Sequence, residues 1–485
     1  MRRMRNSLWL ALGVGLATSA HAVTTSCRLP GVEHEALCGR VARPLDPAQP
    51  QSTQIDVHYA VLPALARNKK ADPVLFFAGG PGQSAIGLAG PVAAMLNRVL
   101  NRRDVVLIDQ RGTGRSAPLK CERDDPWAPL AEAFDTQRLR ARLSACREAL
   151  QKLPHGDLRF YTTTIAMADA DAVRVQLGAE RVNLVGGSYG TRAALEYQRQ
   201  FPQRVRRAVI DGVAPPDMVL PVSFPTDNQA VLDAVFAACE QDGACAQRHP
   251  GLRSRWRAFV AGLPRDIDTQ HPLTGRSERI TATPEALANL LRGPLYAPAL
   301  AAALPAAMEA AIGGRLEPLV GVAMAVSGGG SRRPADDVAQ GMHFSVVCAE
   351  DAPRMQGARS APAADIGSSF ADLYREVCAG WPRGEVASAF YSLPKAATPT
   401  LVLSGGLDPV TPPRHGERVA QALGAQARHV MVPNAGHGVL GIGCMRDVLF
   451  RFIDAADDAE ALKVDAACVT AIPRPPMFEA PGGPR

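Results

Sequence analysis

The chain has no C-x-x-C pair, no G-x-x-x-x-G-K-[ST] phosphate loop and, beyond its first residues, no block of like charges. The first absence leaves zinc and dithiol-redox readings without their usual ligand spacing. The second weakens a phosphate-binding reading of the glycine-rich stretch near residue 80. The third, together with the lack of interleaved basic and aromatic residues, gives a nucleic-acid role no support. The apolar run Leu8 to Ala17 is shorter than the roughly 18 residues a spanning helix needs. Arg2, Arg3 and Arg5 precede it, and Ala20, His21 and Ala22 follow as an A-x-A site, so residues 1–22 read as a cleavable export signal that leaves no stable membrane span. Losing that leader removes three arginines and no acid, which lowers the formal charge from +6 to +3.

What is present is a chain of 485 residues, 47% of them hydrophobic, enough for a large core in one main domain with an insertion. All ten cysteines lie beyond the leader, an even number in a chain bound for an oxidising compartment, so disulfides are expected. Pairing neighbours in order joins Cys27 with Cys38, Cys121 with Cys146, Cys239 with Cys245, Cys348 with Cys378, and Cys444 with Cys468. The sequence alone does not fix that connectivity.

Short apolar runs at Val74 to Phe77, Val105 to Ile108, Val182 to Val185, Ala208 to Ile210, Thr400 to Leu403 and His429 to Val432 read as strands. Helical spacing of Ile165, Ala168, Ala172 and Val175, with Thr164 as cap and Gly178 as stop, places a helix between two of them. The alternation predicts an α/β fold with a mainly parallel, doubly wound sheet. From about Pro215 to Phe390 the pattern changes to Ala- and Leu-rich helical stretches, such as Pro284 to Leu291 and Ala299 to Ile312. The expected organisation is therefore a core from 23–214 and 391–485, interrupted by a mainly helical cap at 215–390. No repeat of fixed period is visible, and low complexity is confined to short stretches such as Ser327 to Ser331 and the Pro-rich tail after Ile472.

Residues 186–190 spell GGSYG, the only G-x-S-x-G in the chain, between an apolar strand and a helix-compatible run. That context is a nucleophile elbow, in which a sharp turn exposes the Ser188 hydroxyl at the sheet edge. A serine hydroxyl needs a base to take its proton and an acid to orient the base. His437, in the loop after His429 to Val432, is the candidate base; His21, His58 and His429 lie in the leader or in strand-like runs. Asp408, beyond Thr400 to Leu403, is the candidate acid and keeps the chain order Ser, Asp, His, with Asp211 as its competitor. Oxyanion donors are expected from the amide of Tyr189 and from Gly79 or Gly80.

The segments AGGPGQSA from Ala78, DQRGTGRS from Asp109, GGSYGTRAALEY from Gly186, SGGLDPVTP from Ser404 and NAGHG from Asn434 together resemble the proline iminopeptidase and tripeptidyl aminopeptidase group of α/β-hydrolases. The likeness runs from about Cys38 to Cys468 and includes CGRVARPLD, LYAP and VVCAED. It implies a helical cap over the triad, release of residues or short peptides from a free N-terminus, and the same roles for Ser188, Asp408, His437, Tyr189 and the Gly79–Gly80 region. Ala78 stands where many proline iminopeptidases have histidine, which places the chain nearer the exported tripeptidyl branch.

An aminopeptidase must meet an ammonium group, and Glu350 with Asp351 are the candidate carboxylates. Asp109 and Arg111 are expected to fix their loop by an ion pair. The leading expectation is a periplasmic or secreted serine aminopeptidase without metal or organic cofactor, acting on a peptide or small amide or ester. The competing readings are an esterase or amidase with the same triad, and a non-catalytic binding protein on the hydrolase scaffold.

Overall fold

A computed structural model describes residues 24–122, 125–326, 338–355, 363–394 and 398–478. The expected export signal and the stretch Ser327 to Ser331 lie outside them. Nine strands form one sheet: β1 (Thr25–Cys27), β2 (Ala36–Pro44), β3 (Gln54–Leu62), β4 (Val74–Phe77), β5 (Val105–Ile108), β6 (Val182–Gly187), β7 (Val205–Asp211), β10 (Thr400–Gly405) and β11 (Ala427–Val432). Their order is β1-β2-β3-β5-β4-β6-β7-β10-β11. The first three run antiparallel to their neighbours and the remaining six are parallel.

Period-two alternation divides the core between the two faces. Val74 and Phe76 of β4 pack toward helices Ala89–Met95 and Met445–Asp454, whereas Leu75 and Phe77 pack toward helices Thr163–Gln176 and Tyr189–Gln200. Because both faces are covered, β4, β5 and β10 are buried along their whole length, the condition that makes parallel strands read as unbroken apolar runs. The helix expected from Thr164 begins at Thr163, with Thr162 in the cap position and no side-chain cap bond. Gly178 does adopt positive φ, at 68°, just beyond its end.

The chain leaves the sheet at Asp211 and returns at Thr400. The insertion carries helices Phe224–Gln241, Pro284–Leu295, Gln340–Glu350 and Ser369–Ala379, among others, and its own core around Trp256, Leu291 and Leu304. It also holds a feature that was not expected, an antiparallel hairpin of β8 (Arg265–Gln270) and β9 (Ser277–Ala282). The stretch Ala299 to Ile312 divides into Pro298–Ala301 and Leu304–Ile312, with Pro305 in the first turn of the second helix, where a missing N–H costs least. All five expected disulfides are closed: Cys27–Cys38, Cys121–Cys146, Cys239–Cys245, Cys348–Cys378 and Cys444–Cys468. Among the described residues, no helix is long and apolar enough to cross a membrane.

Strand register decides where the site forms. Phe77 of β4 pairs with Gly186, Gly187 of β6 with Asp211, Asp211 of β7 with Leu403, and Gly405 of β10 with Val432. The loops carrying Gly79, Ser188, Gly212, Asp408 and His437 therefore leave the sheet at one rim, the carboxyl end of the parallel strands.

Candidate active site

Ser188 sits between β6 and helix Tyr189–Gln200 with φ 56° and ψ −124°. That conformation is costly for a residue with a Cβ, of order 1–3 kcal/mol, and holds only where the surroundings enforce it. The flanking glycines supply part of that enforcement through close packing. A methyl group on Gly186 would fall 2.2 Å from the Gly190 carbonyl oxygen, and one on Gly190 would fall 2.1 Å from that of Phe77. The Ser188 amide donates to the Asp211 carbonyl at 2.8 Å, tying the elbow to the next strand.

His437 Nδ1 lies 2.8 Å from Asp408 Oδ2, so an Nδ1–H donates to the carboxylate and Nε2 is left to accept. Asp408 is buried and also accepts from the amides of Val410 and Thr411 and from Thr411 Oγ1. Burial alone would raise the Asp408 pKa, but the charge and hydrogen bond of His437 and the two amides hold it below the ordinary carboxylate value. Burial alone would lower His437; Asp408, with a smaller contribution from Asp211, outweighs it and holds the imidazole above its ordinary 6.5. The Tyr296 ring from the insertion stands edge-on to the imidazole at 5.1 Å, and its carbonyl accepts the His437 amide.

Asp211 does not bond the imidazole. Its carboxylate accepts from the amides of Val439, at 3.0 and 2.8 Å, and Leu440, at 2.9 Å, and so pins the loop just beyond His437. Burial raises its pKa to about 6 against the effect of those amides. A methyl group on the adjacent Gly212 would lie 3.3 Å from His437 Cε1. Ser188 and His437 thus flank the same Asp211–Gly212 corner. Among the described residues the side-chain hydrogen bonds of His437 go to Asp408 and Thr411 and none joins it to the Ser188 hydroxyl.

Tyr189 is the first residue of its helix, where an amide has no intrahelical acceptor. A methyl group on Gly79 would lie 3.2 Å from Ser188 Cβ, so the Gly79–Gly80 loop passes directly over the elbow.

A family model described as alpha/beta hydrolase fold matches residues 72–260, and one described as TAP-like protein matches residues 362–461. The chain has the α/β-hydrolase fold. Serine protease Hip1 of Mycobacterium tuberculosis is 25% identical to the hydrolase over 448 residues, spanning 84% of this chain and 82% of that protein. Tripeptidyl aminopeptidase of Streptomyces lividans is 30% identical over 190 residues, spanning 37% of this chain and 35% of that protein. Proline iminopeptidase of Neisseria meningitidis is 29% identical over 146 residues, spanning 30% and 34%.

Two expectations about charged residues in the hydrolase need correction. Glu350 and Asp351 are fully buried rather than presented to open space, and Arg192 on the elbow helix takes both carboxylates. Its Nη1 donates to Glu350 Oε2 at 3.2 Å and to Asp351 Oδ2 at 3.0 Å, and its Nη2 to Asp351 Oδ1 at 3.1 Å. The amides of Thr163 and Leu220 fill further acceptor positions. The pair is thus engaged by Arg192 and by backbone amides. Burial, opposed by Arg192 and reinforced by Asp351, raises the Glu350 pKa to about 7.

Asp109 and Arg111 do not pair with each other. Arg111 donates to Asp169 at 2.7 and 3.0 Å, while Asp109 accepts from Ser84 Oγ and the amides of Ile86 and Arg115. Thr411, Tyr296 and Arg192 went unread as site residues, although Tyr296 and Thr411 stand within the LYAP and SGGLDPVTP segments. Helical spacing offered no signal for Arg192, whose partners lie about 160 residues away.

Proposed function

We propose that this chain is an exported serine hydrolase that works as an aminopeptidase, releasing N-terminal residues or short peptides through an acyl-enzyme. The observation that carries the reading is the buried His437–Asp408 hydrogen bond at the same rim as the strained Ser188 elbow. In this mechanism Ser188 Oγ attacks the scissile carbonyl while His437 Nε2 takes its proton. The charge on the tetrahedral intermediate is met by the amides of Tyr189 and the Gly79–Gly80 loop. His437 then returns the proton to the departing amine, and water, activated by the same imidazole, releases the acyl group. Residues 215–390 act as a cap, and their contacts with the rim support this: Tyr296 against His437, and the Ala339 amide on the Gly82 carbonyl. The names of the three relatives favour peptides over simple esters. Five closed disulfides fit a periplasmic or secreted location.

Two measurements test the proposal. A fluorophosphonate probe should label the wild type and not Ser188→Ala; an unlabelled, folded wild type would leave only a binding role. Peptide reporters with a free N-terminus should turn over far faster than the same peptides N-acylated. Equal rates on both, with simple esters faster still, would return the esterase reading.

A further inference from the structure

Among the described residues, Arg292 is a cation without a paired acid. It lies on the insertion helix Pro284–Leu295, partly exposed, with its guanidinium carbon 3.3 Å from the centre of the Phe370 ring. Its side-chain hydrogen bond is to Asn289 Oδ1 at 3.0 Å, and among the described residues no carboxylate pairs with it. Other arginines of the insertion, such as Arg253, Arg255 and Arg257, each hold an aspartate or glutamate. Burial holds the Arg292 pKa below the ordinary arginine value.

Its position relates it to the triad from two directions. Tyr296 is four residues on, the spacing that puts two side chains on one helical face, and the Tyr296 ring meets His437. On the other side, Phe370 packs 4.9 Å from Tyr374, whose hydroxyl meets His343 Nε2 at 2.7 Å. His343 Nδ1 in turn reaches the Pro81 carbonyl of the glycine-rich loop at 3.1 Å. Arg292 is thus linked through Tyr296 to His437 and through Phe370, Tyr374 and His343 to the Gly79–Gly80 loop. From there its unused donors can pair with a planar anion in fork geometry.

We propose that Arg292 determines specificity by binding a carboxylate of the substrate, so that the enzyme favours acyl compounds or short peptides bearing one. The inference rests on the hydrolase reading of the site and adds the substrate feature that reading leaves open. The anion is either the C-terminal carboxylate of a short peptide or an acidic side chain, and the two are separable by experiment.

The test uses the full-length exported protein and matched pairs of substrates. One pair is a free-amine peptide ending in carboxylate or carboxamide; a second is a peptide carrying Glu or Gln; a third is a simple acyl ester with or without a terminal carboxylate. In at least one pair the carboxylate member should have a KM lower by roughly 10-fold or more, the scale of a charge-assisted hydrogen bond, and the pair that shows it identifies the source. The advantage should shrink as salt rises, collapse toward unity in Arg292→Met and survive in part in Arg292→Lys. Equal KM values within every pair in the wild type overturn the proposal, and so does an advantage that persists in Arg292→Met. Should Arg292→Met not fold, the wild-type ratios, their salt dependence and Arg292→Lys still decide. Failure of the exopeptidase reading registers separately, as equal turnover of free and N-acylated peptides, because the ester pair does not depend on a free amine.

Discussion

At the level of single residues, the site depends on how Asp408 and His437 divide one proton. In the proposed mechanism His437 must be neutral at Nε2 to accept from Ser188, and its pKa is held above 6.5 because the Asp408 charge outweighs burial. The acid limb of kcat/KM should therefore fall above the ordinary imidazole range, with activity lost as pH drops through it and His437 becomes cationic. Fluorophosphonate labelling rates measured from pH 5 to 9 check this without depending on a chosen substrate. A midpoint below 6.5 would mean that Asp408 does not control the imidazole. Asp408→Asn should keep the fold and lower kcat by about 10⁴-fold, the effect of presenting the wrong tautomer to the nucleophile. Asp211→Asn should cost far less. Its oxygens hold the Val439 and Leu440 amides rather than the ring. The three candidate triad residues could be nominated from the sequence because each lies within about five residues of the end of an apolar strand, and a strand end in a parallel sheet limits where the next side chains can go. Arg192 was not legible. An arginine in an amphipathic helix reads as solvated until tertiary packing brings two distant carboxylates to it.

At the level of elements, that arginine joins helix Gln340–Glu350 to the elbow helix. Two carboxylates share one guanidinium in a site without solvent, so removing Arg192 leaves both uncompensated, a situation that costs about 3–5 kcal/mol. Arg192→Met should accordingly fold poorly. Glu350→Gln is the informative partner. Because the folded Glu350 pKa of about 7 lies above its ordinary 4.5, its contribution is present at low pH and is lost as pH rises through 7. Wild-type stability should decline between pH 5 and 8, and Glu350→Gln should decline less, as read from denaturant midpoints at the two pH values. Parallel slopes would show that the cluster is not the titrating element. The same scale separates readable from unreadable secondary structure. β4, β5 and β10 announce themselves as continuous apolar runs because both faces are covered. The β8–β9 hairpin buries only Ile267, Thr269, Ile280 and Ala282 on one side, too few apolar residues to stand out from a loop.

For the molecule as a whole, the five disulfides are all local, with sequence separations from 6 to 30, and none joins the insertion to the sheet. Insertion and sheet are held together instead by contacts such as the Arg192 cluster, Tyr296 on His437 and the Ala339–Gly82 hydrogen bond. Reduction should therefore lower stability without releasing the insertion as a separate unit. In the chain-entropy picture the 30-residue Cys348–Cys378 loop is worth about 3–4 kcal/mol and the 6-residue Cys239–Cys245 loop about 2 kcal/mol. The difference in function should be larger than the difference in stability. Cys348 lies on the helix that also carries His343, whose Nδ1 meets the Pro81 carbonyl, so loosening that helix disturbs the Gly79–Gly80 loop, whereas Cys239 lies on Phe224–Gln241, which among the described residues makes no such contact with that loop. Paired alanine substitutions at Cys348 and Cys378 should lower both Tm and kcat, while those at Cys239 and Cys245 should lower Tm alone. Equal kcat losses from the two pairs would show that the cap transmits strain to the site diffusely rather than through the His343 helix.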